Sequence, residues 1–339
     1  MRGYVPGEQP QDKRYIKLNS NENPYPPSPR VLEALHRAVG EDLRLYPDPV
    51  ANRLRDTAAT VYGFRRENIV VGNGSDDLLT MLIRTFVDAG DHVAFPTPTY
   101  SLYDTLVALQ AGKVIEVPYP ADFSLPSLLT EVDAKLTFLC HPNAPSGVLH
   151  PLSAVEALAY AVRGVLVIDE AYVDFAEENA LALVHQYPHV VVLRTFSKSF
   201  SLAGLRIGLA FGHPDLINEL MKVKDSYNVD RLSMVAAVAA LEDYDWMRHN
   251  VNKIRSTRSR LMEGMRELGY FVYDSQTNFV LARKVGMDQQ AVYVGLKDCG
   301  FLVRYFSTPE LSDCLRITVG TDEQIDQLLT ALQELRRAA

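Results

Sequence analysis

Short apolar runs separated by amphipathic stretches fill the chain up to residue 230. Ile69-Val70-Val71, His92 to Phe95, Val114 to Val117, Leu136 to Cys140, Val165 to Ile168, Val190 to Leu193 and Ile207 to Phe211 each read as a strand. Such apolar runs suit strands buried on both faces. Between them, Ser75 to Val87, Ser101 to Gln110, Pro151 to Val162 and Asp215 to Asp225 carry helical periodicity, as do Val31 to Val39 and Pro49 to Tyr62 ahead of the first strand. This alternation predicts an α/β unit whose mostly parallel sheet is flanked by helices.

After Asp230 the texture changes. Ser233 to Leu241 and Trp246 to Leu268 read as helices, Phe279 to Leu281 as a strand, and Gln289 to Cys299 as a helix. Strands at Phe301 to Arg304 and Cys314 to Val319 and a helix from Asp322 to Arg337 complete a smaller α+β unit. Residues 1–30, rich in Pro and Asn, predict an extended arm. The expected parts are an arm (1–30) packing with the small unit, a large unit (31–230) and a small unit (231–339), in keeping with a chain too long for one core.

Composition narrows the function classes. Of 339 residues, 47% are hydrophobic and 22% charged, and the net charge of −8 argues against nucleic acid as a main partner. Cys140, Cys299 and Cys314 have no metal-ligand spacing, and with so few cysteines a reducing cytoplasm is the expected compartment. Met1 to Tyr15 carries no secretory pattern, and no stretch approaches the roughly 20 apolar residues of a membrane span.

Several loops carry candidate chemistry. The run Val165 to Ile168 ends in Asp169-Glu170-Ala171-Tyr172, and the run Val190 to Leu193 leads to Ser197-Lys198-Ser199, with Arg206 following. Singly these have bland readings: Lys198 as a surface charge, Asp169 as a salt bridge or cap. In this order they match the needs of pyridoxal phosphate: a lysine for a Schiff base, an acid for the ring nitrogen, an arginine for the phosphate. Gly72-Asn73-Gly74-Ser75-Asp76-Asp77 joins a strand to a helix. It reads as a helix cap, an anion site, or both. Tyr100 reads as core packing or a ring-stacking aromatic. Asn143, in His141-Pro142-Asn143-Ala144-Pro145-Ser146-Gly147, reads as part of a plain turn or as a donor to the ring oxygen. Arg304 and Arg316 sit in otherwise apolar strands and need anionic partners, either internal carboxylates or a substrate.

Together these motifs resemble the fold-type I pyridoxal-phosphate aminotransferases, with the histidinol-phosphate aminotransferase family the nearest likeness. Leu18-Asn19-Ser20-Asn21-Glu22-Asn23-Pro24-Tyr25 and Leu45-Tyr46-Pro47-Asp48 look like that family's N-terminal motifs, and the others follow in its order over nearly the whole chain. The resemblance implies an aspartate aminotransferase-like fold and a homodimer with shared active sites. It implies that Lys198 forms the Schiff base, Asp169 pairs with the pyridine nitrogen, Asn143 and Tyr172 bind the ring oxygen, and Tyr100 stacks on the ring. Gly74, Ser75, Asp76, Ser197 and Arg206 would surround the phosphate, with Tyr46 reaching the phosphate of the neighbouring subunit. Asn21, Tyr25, Arg304 and Arg316 would line the pocket for amine and keto-acid substrates. Three positions depart from the family pattern: Ala144 stands for a second asparagine, Ser146 for threonine and Ser201 for a frequent glycine.

The expected reaction is amino transfer from histidinol phosphate to 2-oxoglutarate by ping-pong kinetics. An aromatic amino-acid aminotransferase and a threonine-phosphate decarboxylase share these motifs. A cofactor-sensing regulator would need a DNA-binding domain, for which the chain leaves no expected room.

Overall fold

The computed structural model describes residue 3 and residues 7–338. Residues 1, 2, 4–6 and 339 lie outside the described residues, and with them part of the expected arm and of the segment read as lacking a secretory signal.

In chain order come β1 (Ile16–Lys17), α1 (Pro29–Ala38), α2 (Asn52–Tyr62), β2 (Ile69–Gly72), α3 (Ser75–Phe86), β3 (His92–Thr97), α4 (Leu102–Leu109) and β4 (Lys113–Pro118). Next are β5 (Leu136–Cys140), α5 (Leu152–Ala161), β6 (Val165–Asp169), α6 (Leu183–Gln186), β7 (Val190–Thr195), β8 (Gly208–Gly212) and α7 (Pro214–Val223). The chain ends with α8 (Arg231–Glu242), α9 (Tyr244–Glu267), β9 (Phe271–Val272), β10 (Phe279–Arg283), α10 (Gln289–Asp298), β11 (Phe301–Leu302), β12 (Arg304–Tyr305), β13 (Cys314–Thr318) and α11 (Asp322–Ala338).

Seven strands form one sheet in the order β2-β8-β7-β6-β5-β3-β4. It is parallel except at β8, which runs antiparallel to both neighbours. Successive residues point to opposite faces. Accordingly Val190 and Val192 enter one hydrophobic cluster, and Val191 and Leu193 another. Helices cover both faces, which is why these strands read as continuous apolar runs. The carboxyl ends of β2, β3, β5, β6 and β7 share one edge, where open α/β sheets bind ligands.

A second sheet, antiparallel in the order β12-β13-β10-β9, packs against α9 and α10. The arm joins this part of the molecule, because β1 pairs in parallel with β11. The expected single strand from Phe301 to Arg304 is therefore two. Phe301 and Leu302 bond the arm, and Arg304 and Tyr305 bond β13, with buried Val303 between them. Strands as short as β1 and β9 carry too few residues for a period to register, as does the single-turn α6.

The turn from β2 into α3 is built by close backbone contact. Gly74 has φ +83°, which side-chain-bearing residues rarely adopt. Gly208 on β8 lies so close that an added Cβ would sit 2.7 Å from the Gly74 carbonyl carbon and 2.8 Å from the Ser75 nitrogen. Gly208→Ala is expected to destabilise the protein by about 1–3 kcal/mol through overpacking. Gly204→Ala is the control, since a Cβ there meets nothing within 4 Å. Urea unfolding of the two variants checks this.

Candidate active site

Asp169 is the last residue of β6, paired in register with Cys140 on β5 and Leu193 on β7. Its carboxylate accepts hydrogen bonds from the Tyr103 hydroxyl at 2.8 Å and the Ala171 N–H at 3.1 Å. Burial pushes this carboxyl up to about 6, against which the two donors and the Lys198 charge work. Tyr103 was not among the residues singled out by sequence. The signal was present in principle: a tyrosine on the buried face of a helix must find a partner for its hydroxyl.

Lys198 follows β7 in a turn fixed on two sides. From the arm, the Asn23 amide donates to the carbonyls of Lys198 (3.1 Å) and Ser199 (3.0 Å). From beneath, the Ser199 hydroxyl donates to Asp174. Asp174 also accepts from buried Arg194 at 3.1 Å, and Arg194 bonds Glu170 at 2.7 Å. Glu170 adjoins Asp169, so one ionic chain connects the neighbours of both candidate catalytic groups. The Lys198 ammonium points at the Ser20 carbonyl, 3.4 Å away, and lies 5.6 Å from the centre of the Tyr172 ring. Burial, then the charges of Arg316 and Arg206, bring its pKa down to about 8.

The β2–α3 turn, Ser197 and Arg206 form a second cluster. Arg206 donates to Asp76 at 2.8 Å and to the Ser197 hydroxyl at 3.3 Å, and Tyr100 donates to Asp76 at 3.1 Å. A Cβ on Gly74 would sit 2.6 Å from the Arg206 guanidinium. No side chain caps α3, which leaves its first N–H groups facing this cluster. A helix N-terminus, a hydroxyl and a half-exposed arginine suit the binding of phosphate.

Asn21 ties three parts of the chain together. Its amide donates to the Tyr172 hydroxyl at 3.0 Å, its oxygen accepts from Thr318 at 3.0 Å, and its carbonyl accepts from Asn278 at 2.9 Å. Arg316, two residues before Thr318, donates to the Asn19 carbonyl at 3.1 Å, and its guanidinium packs over Phe279 and Phe306. Arg304 is its direct cross-strand partner, which puts both arginines on one face of the small sheet.

Three further expected site residues have other neighbours as well. The Asn143 amide donates to Ser146 at 2.9 Å and to Pro98 at 3.4 Å, and accepts from Thr99 at 3.2 Å. It braces the loops after β3 and β5, while the adjacent Ala144 packs with Cys140, Phe279 and Tyr172. Tyr25 lies against α9, its ring centre 4.8 Å from the Lys253 ammonium, and lines an open cleft of about 470 Å³ with Glu22, Ser197 and Gly204. Tyr46 is 77% exposed and stacked on Tyr227, with centroids 4.3 Å apart, outside the clusters around Lys198 and Arg206. Ser201, where glycine is frequent, has φ +61°, the left-handed conformation that glycine adopts without strain.

The sequence pattern described as aminotransferase class I and II matches residues 13–332. The chain belongs to this aminotransferase family. It is 47% identical to histidinol-phosphate aminotransferase 1 of Trichormus variabilis over 339 residues, covering 99% of this chain and 97% of that one. It is 48% identical to the histidinol-phosphate aminotransferase of Geotalea uraniireducens over 336 residues, with 99% and 97% covered. The histidinol-phosphate aminotransferase of Sinorhizobium meliloti, solved in complex with pyridoxal-5'-phosphate, superposes with a TM-score of 0.89 at 31% identity, over 96% of this chain and 92% of that one. An aspartate aminotransferase from Thermus thermophilus shares the fold, with a TM-score of 0.83 at 23% identity over 96% of this aminotransferase chain and 92% of the other.

Asp169 carries a stability cost that pH exposes. Its folded pKa, about 6, lies above its ordinary 3.8, so the folded protein holds this proton more tightly. The cost is absent below about pH 3.8 and grows as pH rises through 6, reaching about 3 kcal/mol. Asp169→Asn should therefore raise the urea midpoint of the cofactor-stripped protein at pH 8 and leave it little changed near pH 4. An equal effect at both pH values would contradict this.

Proposed function

We propose that this aminotransferase transfers the amino group of histidinol phosphate to 2-oxoglutarate, giving imidazole acetol phosphate and glutamate, with pyridoxal 5'-phosphate as its cofactor. The observation that carries the substrate assignment is the cross-strand pair Arg304 and Arg316. Like charges placed directly opposite each other repel, and an anion between them offsets that repulsion. Histidinol phosphate brings a phosphate ester and glutamate an α-carboxylate, so the same arginines serve both half-reactions. The names of the relatives at 47% and 48% identity support the same choice.

The residues present fit the cofactor. Arg206, Ser197, Ser75 and the backbone after Gly74 would hold its phosphate, with the Asp76 carboxylate orienting Arg206 from the side. Asp169 would face the ring nitrogen, the Tyr172 hydroxyl the ring oxygen, and Tyr100 the ring face. Asn143 would act one step back, by bracing the loop that carries Ala144. When bound, the cofactor supplies an aldehyde carbon for the amino group and a ring that accepts electrons. Lys198 is the anchor and the proton carrier. A pKa of about 8 gives its amine a large neutral fraction in mildly alkaline solution, as a base at the substrate α-carbon requires. Asn21 fixes the Tyr172 hydroxyl, and the Ser20 carbonyl holds the lysine when it is charged.

Catalysis would occur where the arm (1–30), the large unit (31–230) and the small unit (231–339) meet. We further propose a homodimer with shared sites. Tyr46, with Leu43, Leu45 and Tyr227, makes an exposed apolar strip, and such strips mark interfaces. Tyr46 would then reach the partner's phosphate site, and Tyr25 would approach substrate from the adjacent cleft. Among the described residues no helix is long and apolar enough to cross a membrane. Three cysteines without disulfides suit the reducing cytoplasm.

The purified protein should form glutamate's amino group from histidinol phosphate only when 2-oxoglutarate is present. Phenylalanine as the better donor would favour an aromatic aminotransferase, and carbon dioxide released from threonine phosphate without a keto acid would favour a decarboxylase. Arg316→Ala should lower kcat/KM for both half-reactions by about tenfold to a hundredfold, the worth of a charged hydrogen bond. A glutamate half-reaction left intact would sink the shared role. Sedimentation should give a dimer, and Tyr46→Ala should weaken cofactor binding without unfolding the protein. A catalytically competent monomer would rule out shared sites.

A further inference from the structure

Of the two donors to Asp169 named above, one comes from a residue in none of the loops described. Tyr103 lies on α4, fully buried, and its hydroxyl reaches the Asp169 carboxylate at 2.8 Å. Its ring is clamped by neighbours. It stacks on Phe138 at 4.6 Å with planes 10° apart, and meets Tyr100 edge-on at 5.7 Å. The packing would hold a phenylalanine equally well. Only the hydroxyl distinguishes the residue, and its partner is the candidate acid.

The direction of this bond has a chemical consequence. An ionised carboxylate can only accept, so Tyr103 donates. Burial, and then the Asp169 charge, raise the phenol well above its ordinary pKa, so it remains a donor. Donation to a carboxylate favours the charged form, and such charge-assisted bonds are about twice as strong as neutral ones. The other groups bearing on Asp169 are the Ala171 N–H, Asp76 and Lys198, with the Cys140 thiol and the Tyr172 phenol also close enough to feel its charge.

We propose that Tyr103 is a positioning residue that keeps the proton shared by Asp169 and the cofactor's ring nitrogen on the nitrogen. This rests on the pyridoxal-phosphate reading above. Between a buried carboxyl and a pyridine nitrogen there is one proton and two places for it. Burial favours the uncharged pair, a carboxylic acid beside a neutral ring. The hydroxyl of Tyr103 and the N–H of Ala171 favour the charged pair, a carboxylate beside a cationic ring. A cationic ring draws electrons from the substrate α-carbon more strongly, so the helix behind the site sets the ring's strength as an electron acceptor.

The test is Tyr103→Phe, which removes one oxygen and keeps the ring packing. The holoenzyme is loaded with pyridoxal 5'-phosphate carrying ¹⁵N in the ring, and the nitrogen resonance is followed against pH. The midpoint at which the ring loses its proton should fall by about one pH unit in the variant, a tenfold change in the proton's partition. In parallel, kcat should fall about tenfold with KM for histidinol phosphate little changed, the pattern of an interaction made in the transition state. In the cofactor-stripped protein, ¹³C-aspartate spectra should show the Asp169 carboxyl titrating at a higher pH in the variant. Replacing Tyr103 with 3-fluorotyrosine, a stronger donor, should move both midpoints the opposite way, and it carries the test if Tyr103→Phe fails to fold. Unmoved ¹⁵N and ¹³C midpoints in folded protein overturn the proposal. A wild-type chain that takes up no cofactor overturns the functional reading instead, while the ¹³C measurement still decides whether Tyr103 controls Asp169.

Discussion

A buried guanidinium underlies the sheet edge that carries Asp169 and Lys198. Arg194, on β7, is only 6% exposed, and its charge is balanced by Glu170 and Asp174 with the Tyr62 ring alongside. Removing such a charge from water costs several kcal/mol, and each partner it lacked would leave an unpaired ion inside the protein. The arrangement is therefore close to all-or-none. Glu170 adjoins Asp169, and Ser199, bonded to Asp174, adjoins Lys198. The acid and the lysine belong to different strands, yet their spacing is set by one rigid network. The unfavourable charges above thus rest on a layer whose own charges are paired.

Those unfavourable charges are the second theme. Asp169 is held above its ordinary pKa and Lys198 below it, so burial opposes the charged form of both. Each is a liability to the fold and, in the proposed reaction, an asset to proton transfer. The large apolar sheet supplies the surplus, with β5 and β7 buried at every position. Function here is a local departure from the stability that the sheet provides.

Much of this was legible in the sequence. Apolar runs marked the central strands because both faces of a parallel sheet are covered. The motifs around Gly74, Asp169, Lys198 and Arg206 each had a bland reading singly, and only their order along the chain pointed to a candidate site. Less legible was anything decided by a distant partner. The arm's pairing with Phe301 and Leu302, the turning of Asn143 towards Thr99 and Ser146, and the bond from Tyr103 to Asp169 join residues far apart in the chain. Local pattern records which face is buried; it does not record which polar atom waits on that face. Tyr46 was the opposite case, a residue with a motif whose cleft, shared with Leu45 and Arg231, lies apart from Lys198 and Arg206.

The arm also imposes an order of events. β1 can pair only once Phe301 and Leu302 exist, and Asn21 needs Asn278 and Thr318 before it can fix Tyr172. On the ribosome these first residues emerge long before their partners, and contacts of such sequence separation form late because closing long loops costs entropy. The large sheet can assemble while the polypeptide is still growing, whereas Asn21 lacks its partners Asn278 and Thr318 until late in synthesis. A chain truncated before Asn278 would thus keep the strands of the large sheet and lose the contacts that fix Asn21 against the Tyr172 hydroxyl.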